Sequence, residues 1–142
     1  MIFEANLEED GEIVFLTFED IEFIHNLALI EGGRTGELKT SDLQSALGRP
    51  LNYHQYDNQN DLIRLAAVLW HGVSEAHGFV DGNKRTAMLA ALAFLEANGI
   101  ELDSKISSWQ PGFFVDTSYQ QRKFNIDTLD HYLRTHCRWI AE

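Results

Sequence analysis

A chain of 142 residues is the size of one domain, and its 22 acidic against 11 basic residues give a formal net charge of −11. That balance disfavours duplex nucleic acid and anionic membrane surfaces, which are held by Lys and Arg neutralising phosphates. No run of about 18 apolar residues exists to span a bilayer. The opening Met1-Ile2-Phe3-Glu4 is unlike a secretory or transit segment, and the lone Cys137 suits a reducing compartment, so the expected location is the cytoplasm.

Neither repeats nor a Pro/Gly-rich linker interrupts the chain, which reads as a single domain over residues 1–142. Ile13 to Leu16 is a short apolar run with the character of a strand. Thr17 followed three residues later by Asp20 has the form of a capping box, and predicts a helix from Phe18 to about Ile30. Ile21, Ile24 and Ala28 would share its buried face, and Gly32-Gly33 would end it. Arg34 to Ser41 reads as loop. A short helix from Asp42 to about Leu47 is expected to stop at Gly48 and Pro50. Leu51 to Asn60, with Tyr53, His54 and Tyr56, reads as a surface loop or small hairpin.

Asp61 opens a strong amphipathic helix, with Leu62, Leu65, Ala66, Leu69 and Val73 at helical spacing as far as Ala76. The next helix, from Asn83 to Ala97, is apolar on nearly every side past its first turn, the pattern of a helix enclosed by others. Asn98-Gly99 supplies its stop. Ile100 to Gly112 gives no clear signal. A last helix from Ile126 to Ile140 is capped by Asn125 and turns Leu129, Leu133 and Ile140 inward. The expectation is an all-α bundle around a buried central helix, the one starting near Asn83.

Chemistry concentrates between the two strongest helices, in His77-Gly78-Phe79-Val80-Asp81-Gly82-Asn83-Lys84-Arg85-Thr86. A helix start carries unpaired N–H groups and partial positive charge, and so attracts anions. Gly82 permits a tight turn and close approach of a ligand. Lys84 and Arg85 add two cations at the same point. Asp81 is a hard oxygen ligand suited to Mg²⁺, His77 is fit to accept a proton near neutrality, and Phe79 would pin the loop to the core.

Each residue also has a plain reading: His77 as a packing residue or cap, Asp81 as an N-cap, Lys84 and Arg85 as solvated charges. Cations in a first turn oppose the helix dipole, however, and are stabilised there by an anion. A P-loop is excluded, because Gly-x-x-x-x-Gly-Lys-Ser/Thr does not occur. A histidine-based metal centre is disfavoured, since no His-x-x-x-His pair exists; His71 reads as structural.

This segment resembles the Fic/Doc family, whose motif is His-Pro-Phe-x-Asp/Glu-Gly-Asn-Gly-Arg-x-x-Arg. His77, Phe79, Asp81, Gly82, Asn83 and Arg85 agree with it. Gly78 stands for the proline, Lys84 for the second glycine of Gly-Asn-Gly, and Met88 for the final arginine. Asn83-Lys84-Arg85-Thr86-Ala87 is similar instead to the death-on-curing (Doc) toxin branch. The likeness extends from about Phe15 to Gly99, through Thr17, Asp20, His25, Gly32-Gly33, Leu43 to Pro50, and Phe94 to Gly99.

The resemblance implies a Fido-type helical bundle, with ATP and Mg²⁺ as cofactors. His77 would deprotonate a target hydroxyl, Asp81 would hold the metal, and Gly82, Asn83, Lys84 and Arg85 would cradle the phosphates. Most of the family transfers AMP, whereas the Doc branch transfers the terminal phosphate to a threonine of elongation factor Tu. The neutral Met88 and the bulky Lys84 favour the second outcome; Gly82, shared with the AMP-transferring branch, keeps adenylyl transfer as the alternative. The family's self-inhibitory Ser/Thr-x-x-x-Glu-Gly/Asn motif is missing, since Glu31-Gly32 is preceded at the required spacing by Leu27. The implied inhibitor is therefore a separate antitoxin. Leu51 to Asp57 falls in the region of the family's substrate-docking flap, with ordinary loop aromatics as the plain alternative. A partner-binding module without turnover is the remaining reading, and the intact His77, Asp81 and Arg85 argue against it.

Overall fold

The structure, a computed structural model, describes residues 5, 12–29, 32–36 and 39–141. Among these, six helices and one two-stranded sheet follow in the order α1 (Phe18–Ala28), α2 (Thr40–Asp57), α3 (Leu62–Ala76), α4 (Asn83–Ala97), β1 (Ile100–Leu102), α5 (Gln110–Gln120), α6 (Ile126–His136) and β2 (Cys137–Trp139). The fold is the expected all-α bundle.

The local signals with side-chain chemistry produce the expected ends. Thr17 and Asp20 form both halves of the capping box, and Ile21, Ile24 and Ala28 are buried. Asp61 accepts hydrogen bonds from the N–H groups of Ile63 and Arg64 at 3.0 and 3.2 Å, starting α3. Asn125 accepts from the Thr128 N–H at 2.8 Å, starting α6. The expected last residue of α1, Ile30, lies outside the described residues; Leu29 caps the helix.

Other expectations need correcting. Ile13 to Leu16 forms no strand. The Asn98 side-chain amide instead brackets Val14, accepting from its N–H and donating to its carbonyl, both at 2.9 Å. One side chain thus does the work of a neighbouring strand.

The short helix at Asp42 is part of an 18-residue helix that runs through Gly48 and Pro50 to Asp57. Pro50 forfeits one N–H donor, but its ring is buried, and α2 is held along α3 by packing on both sides of it. At their crossing, a Cβ on Gly72 would stand 3.3 Å from the Ala46 Cβ, so glycine lets the two backbones approach. Asn58 in the left-handed region, φ 52°, ends α2. Tyr53 and Tyr56 are therefore helical. They sit beside the start of α3, and its 15 residues, about 22 Å of helix, separate that end from His77. The proposed flap at Leu51 to Asp57 does not exist there.

The central helix also moves. α3, not α4, is buried along almost its whole length, from Leu62 to Ser74, and α2, α4 and α6 all pack on it. α4 lies beside it, between α3 and α1, with Met88, Leu89, Leu92 and Ala93 only half-buried. Its all-round apolar pattern reflects small alanines at close contacts more than full enclosure.

The last helix stops at His136, four residues early. Cys137 to Trp139 pairs antiparallel with β1 in the register Ile100↔Trp139, Glu101↔Arg138, Leu102↔Cys137. Glu101 and Arg138 meet across it at 3.2 Å. Ile140 is 41% exposed rather than inward. Leu129 and Leu133 are buried as expected, and Arg134, bonded to Asp130 and to Asp61 at 2.9 Å each, ties α6 to the start of α3.

Burial pushes the Cys137 thiol up to about 12. The nucleophile is the thiolate, so this cysteine is held in its unreactive form. In the folded protein at pH 8, Cys137 should resist alkylation by iodoacetamide, and it should become fully modified once denaturant unfolds the chain. Mass spectrometry of the two samples checks this.

Candidate active site

The loop between α3 and α4 is shaped by four local choices. The first is His77, which ends α3 in the left-handed region at φ 48°, ψ 44°. A non-glycine residue there is uncommon, and the conformation leaves the imidazole exposed and lining a cavity of about 480 Å³. The second is Gly82, the residue before α4, at φ 79°. A Cβ at this position would stand 3.2 Å from Leu29 Cδ2, so both the dihedral and the space call for glycine.

The third choice is Asn83. Its amide folds back on the loop, Oδ1 accepting from the Phe79 N–H at 3.0 Å and Nδ2 donating to the Phe79 carbonyl at 2.9 Å. Both polar ends of the side chain thereby hold the loop, leaving its backbone N–H for a ligand. The fourth is a stack of Phe79 on His25, with ring centroids 3.8 Å apart and planes 6° apart, both residues buried. His25 Nε2 is 2.8 Å from the Asp81 carbonyl oxygen; that oxygen can only accept, so Nε2 carries the proton.

Asp81 is exposed, and two backbone N–H groups orient its carboxylate: Gly82 donates to Oδ1 at 2.9 Å and Arg34 to Oδ2 at 3.3 Å. The Gly82 N–H is thus engaged by Asp81. The N-cap residue, Gly82, gives α4 no side-chain cap, so the amides of its first turn have no partner within the helix.

Lys84 and Arg85 are exposed at that end, and each is steered from elsewhere in the chain. The Lys84 ammonium lies 4.3 Å above the centre of the Tyr119 ring. Arg85 Nη1 donates to the Ala28 carbonyl at 3.2 Å, at the C-terminal end of α1, where a cation also meets the favourable end of the helix dipole. Tyr119 shares a 2.5 Å hydrogen bond with the buried Ser74, and its ring stacks on Phe124. Burial, the largest influence, raises the Tyr119 phenol, keeping it protonated.

The structure brings His77, Asp81, Gly82, Asn83, Lys84 and Arg85 to one cavity, whose other walls include Ala28, Leu29, Ser74 and Tyr119. Sequence reasoning found the first six and missed those walls. It also missed that His25 supports the loop, although a polar residue on the apolar stripe of Ile21, Ile24 and Ala28 was a usable signal. Tyr119 had no such signal. It comes from α5, beyond the stretch that could be read, and only tertiary packing sets it against Lys84.

His71, expected to be structural, packs against Phe124 with ring centroids 5.8 Å apart. Among the described residues no three His, Cys, Asp or Glu side chains gather into a metal cluster, and no helix is long and apolar enough to cross a membrane.

Over 71 residues the chain is 42% identical to "Toxin Doc" of Mycolicibacterium smegmatis, covering 47% of this chain and 55% of that protein. It is 32% identical over 71 residues to "Protein kinase doc" of Escherichia phage P1, covering 50% of this chain and 56% of that protein. The chain thus spans about half the length of the curated relatives it matches. Residues 15–95, more than half of the chain and including the whole loop and most of α4, match the family model described as Fic/DOC. The chain belongs to the Fic/DOC family.

Proposed function

We propose that this protein is a Doc-like toxin that transfers the γ-phosphate of ATP to a Ser or Thr hydroxyl of a target protein. The observation that carries this reading is that an exposed imidazole and the uncapped start of a 15-residue helix open on the same cavity. One supplies a proton acceptor, and the other supplies N–H donors and positive potential for phosphate. The name of the phage P1 relative, a protein kinase, supports the same choice.

The residues divide the work by position. The phosphates lie at the start of α4, against the N–H groups of Asn83 and Lys84 and the charges of Lys84 and Arg85. His77 takes the proton of the acceptor hydroxyl as that oxygen bonds to the γ-phosphorus. The bond from the γ-phosphorus to the bridging oxygen breaks, ADP departs, and His77 gives its proton to solvent. Charge growing on the phosphoryl oxygens is met by donors already in place, which is where electrostatic catalysis is strongest.

Asp81 is the residue that would hold Mg²⁺. Its two N–H donors leave other lone pairs facing the cavity, and a single carboxylate suits an ion that otherwise binds phosphate and water. Bound there, the ion would neutralise phosphate charge.

Elongation factor Tu is the proposed target and the cytoplasm the proposed location, and a separate antitoxin is proposed as the inhibitor acting in trans. The residue of the absent self-inhibitory motif, Glu31, lies outside the described residues. AMP transfer is the second reading, favoured by Gly82. ATP labelled at the α- or the γ-phosphate, incubated with the protein and purified elongation factor Tu, separates the two. Label from γ alone is the expected result. Label from α alone establishes AMP transfer, and ATP binding with no label from either points to a binding module. The antitoxin is tested by co-expression with the adjacent gene, where a stoichiometric complex lacking transfer activity is expected.

A further inference from the structure

Among the described residues, Tyr119 alone brings α5 to the wall of the larger cavity. Three contacts fix it there. Its hydroxyl shares a hydrogen bond of 2.5 Å with Ser74, a buried residue three positions before His77. A longer bond of 3.4 Å runs from the same hydroxyl to Glu75 Oε1. Phe124 stacks on the ring, with centroids 4.3 Å apart and planes 14° apart. A stacked ring leaves no room for an ammonium on the same face, so Lys84, 4.3 Å from the ring centre, takes the other.

We propose that Tyr119 is a positioning residue, whose ring face holds the Lys84 ammonium at the mouth of the cavity, ready for a phosphate. This role rests on the phosphate site of the preceding section and adds the residue that keeps one of its two cations in place. The two cations differ in what orients them. Arg85 has a planar fork, and its Nη1 donates to the Ala28 carbonyl. Lys84 is exposed, with a compact charge on a flexible stem. A cation is drawn to the negative face of an aromatic ring, which narrows the freedom of that stem and leaves the ammonium its N–H donors for a ligand. A carboxylate in the same place would also hold the ammonium, but by neutralising the charge that a phosphate needs. The ring holds it without neutralising it. Tyr119 keeps its own proton as well, because burial raises the phenol.

Phosphate affinity tests the ring directly. The probe is inorganic tripolyphosphate with Mg²⁺, titrated calorimetrically into the full chain. Tyr119→Phe keeps the ring face and serves as the reference. Relative to it, Tyr119→Leu should bind tripolyphosphate about three- to tenfold more weakly. Trifluorophenylalanine incorporated at position 119 keeps the shape of phenylalanine but withdraws electron density from its face. It should weaken binding in the same direction, and it reads the ring even if the leucine variant folds poorly. In a Lys84→Met background the three side chains at position 119 should bind tripolyphosphate alike, within about twofold, because the cation that the ring holds is gone.

Equal affinity of the three variants with Lys84 present overturns the positioning role and leaves the phosphate site standing. A loss that persists undiminished in Lys84→Met also overturns it, because Tyr119 would then act on the fold. A wild-type protein that binds no tripolyphosphate overturns the phosphate site itself, and the positioning role with it. Transfer from γ-labelled ATP is read beside these titrations. Its absence in the wild-type protein, with the binding pattern intact, removes the proposed reaction and leaves the positioning role in place.

Discussion

Replacing His77 with asparagine should lower phosphoryl transfer by about 10²–10⁴-fold, the usual range for loss of a general base, while ATP affinity and the thermal midpoint stay near wild type. Asparagine is the informative choice because His77 occupies the left-handed region, which Asn tolerates better than Ala. Alanine would mix loss of the base with backbone strain. His77 is exposed and makes no side-chain hydrogen bond among the described residues, so little packing is at stake. Single-turnover transfer from γ-labelled ATP, beside a calorimetric ATP titration, reads both quantities. Transfer within threefold of wild type would rule out His77 as the base, whatever the ligand data show.

The largest stability effect should come from Phe79, two residues further along the same loop. Phe79 is 2% exposed, sits in the main core cluster and lies flat on His25. Phe79→Ala removes that ring from a packed site, at a cost of about 3–5 kcal/mol. Native domains are stable by only about 5–15 kcal/mol, so the variant should approach the folding threshold.

The same change should weaken ATP binding. His25 loses the surface it stacks on, and it is His25 that donates to the Asp81 carbonyl. Asn83→Ala separates the two contributions. It leaves the core intact but strips the Phe79 backbone of both partners, and should cost about 1–3 kcal/mol, the penalty for a buried group left unsatisfied. Urea denaturation measures both variants. A Phe79→Ala loss no larger than that of Asn83→Ala would mean the ring is not what anchors the loop.

Signals that act over a few residues were legible in the chain itself. Capping residues at Thr17, Asp61 and Asn125 set three helix starts, because a side-chain oxygen three residues from an orphan N–H satisfies it wherever the helix lies. The motif from His77 to Arg85 was equally visible, and its clustering follows from one short loop joining two helices. That segment carried the strongest part of the resemblance to the family and named six residues that line one cavity.

What the sequence could not determine depends on partners remote along the chain. Pro50 should have broken α2, but packing against α3 outweighs one lost hydrogen bond. Cys137 to Trp139 leaves the helix for a strand because Ile100 to Leu102 stands beside it, 35 or more residues away in sequence. Val14 finds its partner in Asn98, and Lys84 finds its in Tyr119. Local propensities amount to tenths of a kcal/mol per residue, about 0–0.7 for ordinary residues in a helix, so a burial worth 1.5–3 decides between alternatives that the chain leaves open. The chain carried the chemistry of the loop; the walls that enclose it were decided only when the helices packed.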